Sequence, residues 1–166
     1  MRKTQPITRI LVISREKDLD LTRRNVAVID SELKSQSTIY VPDKAGTPEI
    51  VRKINSRTID LLLIQTLSVK GLAPNLHKKY EIEGIPSQGK LALPDSYWQG
   101  FSLIDHARRL REPIPVITAF DVASHLYKLQ DAIYTALREQ FGVSNVLRGG
   151  SSAEYLAEQI REVLKG

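Results

Sequence analysis

The chain has 166 residues, 42% of them hydrophobic and 26% charged, with net charge +5, mean hydropathy −0.22 and no cysteine. That is enough for one globular domain with a proper core, and it excludes disulfides, thiolate catalysis and cysteine-ligated zinc or iron–sulfur sites. No apolar run approaches the roughly 20 residues of a membrane span, and the basic start MRKTQPITR lacks a signal peptide's apolar stretch, so the reading is a cytoplasmic protein without a membrane partner.

The charge is unevenly spread. Up to Arg24 there are seven basic residues (Arg2, Lys3, Arg9, Arg15, Lys17, Arg23, Arg24) against three acidic ones (Glu16, Asp18, Asp20). A basic end can meet nucleic acid or an acidic protein surface. No aromatic residue interleaves these charges to stack on bases, so a solvated face is the preferred reading and nucleic acid the third choice of partner.

Five short runs rich in Val, Ile and Leu punctuate the chain, each too short for a helix. The first, RILVIS (9–14), precedes a helical pattern near 19–35 with Leu19, Val26, Ile29 and Leu33 on one face. STIYVP (37–42) follows, and Thr47-Pro48-Glu49 then reads as an N-cap with proline at the first helical position, burying Ile50, Val51 and Ile54. The third run, DLLLIQ (60–65), ends on an amide where an open α/β sheet places its chemistry.

Residues 66–94 break the rhythm with Gly71, Gly84, Gly89 and three prolines. YEIEGI and GKLAL suggest a small hairpin, an insertion standing over the carboxyl edge of the sheet. Tyr97 and Trp98 are expected to pack it onto a third helix near 100–111, which buries Phe101, Ile104 and Leu110. IPVITA (114–119) is the fourth run. Leu126, Leu129, Ile133, Leu137 and Phe141 then recur every three or four residues, and Gly142 is the stop. SNVLR (144–148) leads into a last helix opened by Ser151 and Glu154 as a capping box, with Leu156, Ile160, Val163 and Leu164 inside.

Near-continuous hydrophobicity in the first, third and fourth runs fits strands covered on both faces. Strands alternating with helices imply right-handed crossovers. The expected fold is a single-domain (βα)5 three-layer α/β/α architecture over residues 1–166, flavodoxin-like, with a five-stranded parallel sheet and the 66–94 insertion between the third strand and third helix.

In RILVIS, IDLLLIQ, QGFSLIDHARRLR, PIPVITA and FGVSNVLRGGSSAEYLAEQIREVL the chain resembles the receiver domain of response regulators. The resemblance covers about residues 8–165 apart from the insertion. It implies an acidic pair holding Mg²⁺ after the first strand and a phosphoacceptor aspartate ending the third. It also implies a Thr or Ser ending the fourth strand and a Lys ending the fifth. Here the acidic pair falls on Ser14 and Arg15, with Glu16 beside it, and the phosphoacceptor position falls on Gln65. Thr118 is retained, the lysine position falls on Gly149, and Arg148 stands one residue early, facing the other side of the strand. An amide cannot form an aspartyl phosphate, and without paired carboxylates Mg²⁺ lacks an anchor. Gln65 is expected to hydrogen-bond Thr118 instead. The resemblance thus implies a pseudo-receiver with no catalytic residue, cofactor or metal, in a signalling pathway where phosphorylation has been replaced.

Other candidates weigh less. His77, His106 and His125 fall in three elements without metal-ligand spacing. Gly149-Gly150-Ser151-Ser152 before a helix could present backbone N–H groups to an anion, although a turn with a serine N-cap is the preferred reading. A phosphate- or nucleotide-binding enzyme of flavodoxin-like fold is therefore the alternative function. The preferred function is protein interaction, with another protein or as a homodimer. Tyr127 and Tyr134, seven residues apart, are expected to lie on one line at the margin of the core stripe. The resemblance extends that surface to Lys128, Asp131, Arg138, Arg148 and Tyr155.

Overall fold

The computed structural model describes residues 7–166, so Arg2 and Lys3 of the basic segment lie outside the described residues. Five strands, β1 (Arg9–Ile13), β2 (Gln36–Tyr40), β3 (Leu61–Ile64), β4 (Val116–Ala119) and β5 (Asn145–Leu147), form one parallel sheet in the order β2-β1-β3-β4-β5. Ile10 to Ile13 and all of β3 and β4 are buried, because helices cover both faces and leave no alternate residue in water.

Side-chain alternation divides the core. Ile10, Val12, Leu61, Leu63, Ile117 and Ala119 meet α1 (Leu19–Leu33) and α5 (Ala153–Lys165). Leu11, Ile13, Leu62, Ile64 and Val116 meet α2 (Thr47–Asn55), α3 (Asp95–Arg108) and α4 (Gln130–Glu139). The topology therefore has the single-domain α/β, flavodoxin-like architecture expected of the strand and helix pattern.

Several local expectations are corrected. Thr47 does not cap α2: Asp43 Oδ1 accepts from the N–H groups of Ala45 at 3.0 Å and Gly46 at 2.6 Å, and Thr47 Oγ1 instead donates to the carbonyls of Asp43 and Lys70. The cap of α5 is Ser152, whose Oγ accepts from Tyr155 N at 3.1 Å, while Ser151 Oγ donates to the Arg148 carbonyl. The stretch expected as one long fourth helix is a 3-10 turn, Ser124–Leu129, followed by α4. Gly142 beyond α4 has φ +69°, the left-handed stop that glycine permits.

No strand forms within 66–94. The segment starts at the carboxyl edge, where Lys70 N donates to the Pro42 carbonyl. It then runs down the outside of α3 and α4 rather than standing over the edge. Lys78 N donates to Ser102 Oγ, Tyr80 OH donates to Asp105 Oδ2, and Gln140 Nε2 donates to the Glu81 carbonyl. Tyr80 meets the ring of Phe141 edge-on at 4.9 Å, and Phe141 stacks on Phe101 at 4.7 Å. Eight of the fourteen residues of α3 are buried, including Tyr97 and Trp98, because this helix is sandwiched between the sheet and the insertion.

Candidate functional site

Strand order reverses between β1 and β3, which are neighbours although β2 lies between them in sequence. In open α/β sheets such a reversal leaves a crevice at the carboxyl ends of the strands. A cavity of about 320 Å³ opens there, lined among others by Arg15, Asp18, Asn25, Gln65, Asp121 and the Arg148–Ser152 turn. Two separately expected sites, the degenerate receiver pocket and the anion turn, thus share one wall. Ser14 and Thr118 are fully buried rather than lining it, and Glu16 points to solvent from a short 3-10 turn, Glu16–Asp18.

A neutral hydrogen-bonded chain runs from the cavity wall at Gln65 and Thr22 to the buried Ser14 beneath it. Thr22, on the inward face of α1, donates to Gln65 Oε1 at 3.0 Å. Its hydroxyl lies 2.9 Å from Ser14 Oγ, whose hydrogen is shared with the Arg15 carbonyl at 3.1 Å. The expected Gln65–Thr118 bond does not form. Gln65 continues the alternation of Leu61 and Leu63 toward α1, whereas Thr118 continues that of Val116 toward α3 and α4. Thr118 Oγ1 is buried without a hydrogen-bond partner.

The charges around the rim are engaged. Arg15 Nε donates to Asp18 Oδ2 at 2.8 Å. Asp121 Oδ1 accepts from Gly149 N at 3.2 Å, so a carboxylate already sits on the anion turn. A Cβ on Gly149 would come within 2.7 Å of Asp121 Oδ2, so a larger residue there would have to push the exposed Asp121 carboxylate aside. The guanidinium of Arg148 lies 5.1 Å from the centroid of the Tyr134 ring, on the α4 side of β5 as the alternation requires.

These donors do not fit the hard divalent cation that the receiver resemblance raises. One acidic-pair position holds a buried hydroxyl and the other a cation. Asp18 and Asp121 are each committed elsewhere, and among the described residues no three His, Cys, Asp or Glu side chains group to bind a metal. His106 Nε2 lies 2.6 Å from Asn55 Oδ1, and burial lowers its pKa. Asp18, Asn25 and Asp121 were missed from the sequence. Asp121 had a signal, since it stands just past β4 at the same edge as Gln65.

The tyrosine pair is corrected. Tyr134 is 6% exposed, with its hydroxyl donating to the Phe120 carbonyl at 2.8 Å, while Tyr127 is 67% exposed. Tyr134 lies in α4 and belongs to the buried core, whereas Tyr127 lies in the 3-10 turn that precedes the helix. Lys128, Asp131 and Arg138 are exposed, and Tyr155 is exposed on α5.

No family model matches the chain, and no curated protein matches it. Among solved structures, the chain is similar to the RcsB response regulator of Salmonella typhimurium, with TM-score 0.61 and 9% identity over 96% of this chain and 62% of RcsB. This chain therefore spans less than two thirds of RcsB. It is also similar to a pilus assembly-related protein of Burkholderia pseudomallei, with TM-score 0.55 and 20% identity over 99% of this chain and 95% of that one. A third similarity is to the CheY-like protein TadZ of Pseudomonas aeruginosa, with TM-score 0.52 and 15% identity over 94% and 98% of the two chains. At these identities the likeness establishes a receiver-like fold.

Proposed function

We propose that this chain is a non-catalytic receiver-like module that works by binding another protein or a second copy of itself, and that aspartyl phosphorylation does not switch it. The observation that carries the reading is the chain Ser14–Thr22–Gln65. Ser14 and Gln65, at two of the three positions where the resemblance calls for carboxylates, are neutral and are joined through the Thr22 hydroxyl. A carboxylamide offers no nucleophile for phosphoryl transfer, and the buried Ser14 offers no ligand for Mg²⁺. Incubation with acetyl phosphate and Mg²⁺ is expected to leave the mass unchanged. A Mg²⁺-dependent gain of one phosphoryl group would overturn this.

The interaction surface fitting this reading is the face of α4, β5 and α5. β5 is an edge strand, and Tyr127 and Tyr155 leave large aromatic surface in solvent. The pilus-assembly role named for the Burkholderia neighbour, matched nearly end to end, supplies the partner class to try first. Pairwise binding to pilus-assembly components tests it.

One observation favours a second reading, a nucleotide- or phosphate-binding enzyme: the glycine turn and Gln65 line a common cavity. Asp121 weighs against it, because its carboxylate holds the Gly149 N–H and repels phosphate. A thermal-shift series with nucleotides, flavins and inorganic phosphate decides, since a ligand at 100 times its Kd adds about 2.7 kcal/mol.

A further inference from the structure

Between the 66–94 insertion and α4 lies a groove of about 260 Å³, which the receiver pattern, lacking the insertion, does not supply. The insertion touches α4 at both ends of it. Gln140 Nε2 donates to the Glu81 carbonyl at 3.1 Å, and a Cβ on Gly84 would stand 3.2 Å from the Ala132 Cβ. From Ala132 to Gln140 the helix rises about 12 Å, and the insertion runs antiparallel to it over that length. Ala132, Thr135, Ala136 and Glu139 recur every three or four residues, so they face the groove together.

The base is apolar, made of the buried Ile82 and Ala136 with the half-buried Ala132. Glu83 on the insertion and Glu139 on the helix stand exposed on its two walls. Among the described residues no cation lines the groove, and neither glutamate forms an ion pair within the chain. Arg138, beside Glu139 in sequence, lines the opposite flank of α4 together with Arg148. Two uncompensated negative charges thus share one groove on a chain of net charge +5.

That combination matches the two halves of a long cationic side chain. The apolar base takes a methylene stem, and the carboxylates take the charged head. A neutral apolar side chain would leave both carboxylates without a partner, and an anion would be repelled. Arginine fits better than lysine, because its planar guanidinium presents a fork of donors to carboxylates on either side.

We propose that this groove seats an arginine side chain of a partner protein, with its stem on Ile82, Ala132 and Ala136 and its guanidinium between Glu83 and Glu139. The proposal rests on the protein-interaction reading above and adds the chemistry of one anchor. Arginine is among the residues enriched at protein interfaces.

Amide NMR titration with a blocked alanine peptide carrying one central arginine tests it. The amides of Glu83, Thr135 and Glu139 are expected to shift and to saturate with a Kd on the order of 1 mM. The same peptide with citrulline keeps the stem and loses the charge, and is expected to bind at least about tenfold more weakly. Glu83→Lys with Glu139→Lys is expected to abolish the shifts. Thr135→Trp, which fills the groove without changing its charge, is expected to weaken them. Glu32→Lys with Glu158→Lys, on the exposed faces of α1 and α5, changes the net charge equally and is expected to leave the titration intact. The spectra themselves show whether each variant folds. The proposal is overturned by equal binding of the citrulline peptide, by shifts confined to residues outside the groove, or by an equal loss in the α1 and α5 control. A titration that does not saturate by about 10 mM peptide overturns it too. Each of these outcomes leaves the interaction reading standing, because that reading is tested separately by the Mg²⁺-dependent gain of a phosphoryl group.

Discussion

The carbonyl oxygen of Leu67 packs against the backbone of Gly100, so closely that a Cβ on Gly100 would stand 1.9 Å from it. This crossing is where the chain leaving β3 passes over α3 and the insertion begins. Alanine is favoured over glycine in a helix interior by about 1 kcal/mol, so glycine at this point marks a close backbone approach.

Gly100→Ala is accordingly expected to destabilise the protein despite its better helix propensity. Forcing a methyl into a filled space costs typically 1–3 kcal/mol, and here the obstacle is backbone that cannot swing aside. The expected net loss is about 2 kcal/mol, read as a lower urea midpoint. An unchanged or higher midpoint would show that the insertion is not held at this crossing.

Tyr127 in the 3-10 turn and Tyr134 in the middle of α4 call for opposite outcomes. Tyr134→Phe removes the donor to the Phe120 carbonyl and leaves a buried acceptor unsatisfied, a loss of about 1–3 kcal/mol. Tyr127→Phe alters a residue 67% exposed and is expected to stay within about 0.5 kcal/mol of wild type. Chemical denaturation of both variants checks the contrast, and equal effects would contradict it.

What the sequence made legible divides along physical lines. The strands could be read because burial on both faces makes RILVIS, DLLLIQ and IPVITA apolar without interruption. The carboxyl-end rule brought Arg15, Gln65, Arg148 and Gly149 to one cavity. The Gln65–Thr118 pair failed because the register sets Ile64, not Gln65, beside Thr118, so the residue just past β3 and the even residue of β4 face opposite layers. The path of 66–94 was not legible, because it is set by contacts distant in sequence, such as Tyr80 with Asp105 and Gln140 with Glu81. The 3-10 turn at Ser124–Leu129 was hidden too, since apolar spacing of three and four fits either helix.

Alkaline pH is expected to loosen the insertion. Burial, followed by its hydrogen bond to Asp105, pushes the Tyr80 pKa up to about 12. A phenol whose folded pKa lies above its unfolded value near 10 keeps its proton longer when folded. Its contribution is therefore complete below about pH 10 and declines as pH rises toward 12. Tyr134 is raised as well, by burial first, so Tyr80→Phe removes only part of the slope. Urea titrations from pH 8 to 11 should show the gap between wild type and Tyr80→Phe narrowing as pH rises. A gap that is constant or widens would count against the assignment.

Placing a carboxylate at Ser14, the first acidic-pair position of the receiver pattern, is expected to damage the fold. Ser14 is 0% exposed, at the end of β1 beneath α1, with Thr22 and the Arg15 carbonyl as its polar neighbours. Arg15, the nearest cation in sequence, is directed to Asp18. Ser14→Asp therefore buries a charge without a counter-charge, and removing such groups from water costs several kcal/mol even after relaxation. The alternative to unfolding is for the new carboxyl to keep its proton, which raises its folded pKa above the unfolded value near 3.9. The sign follows: the penalty is absent below about pH 4, where both states are protonated, and grows as pH rises. Ser14→Asp should thus match Ser14→Asn near pH 4 and fall below it by about 2 kcal/mol or more at pH 7. Urea midpoints of the two variants across that range decide the matter. If they remained equal at pH 7, the site would be open enough to charge, and the neutral chain Ser14–Thr22–Gln65 would no longer support the proposal that aspartyl phosphorylation does not switch this chain.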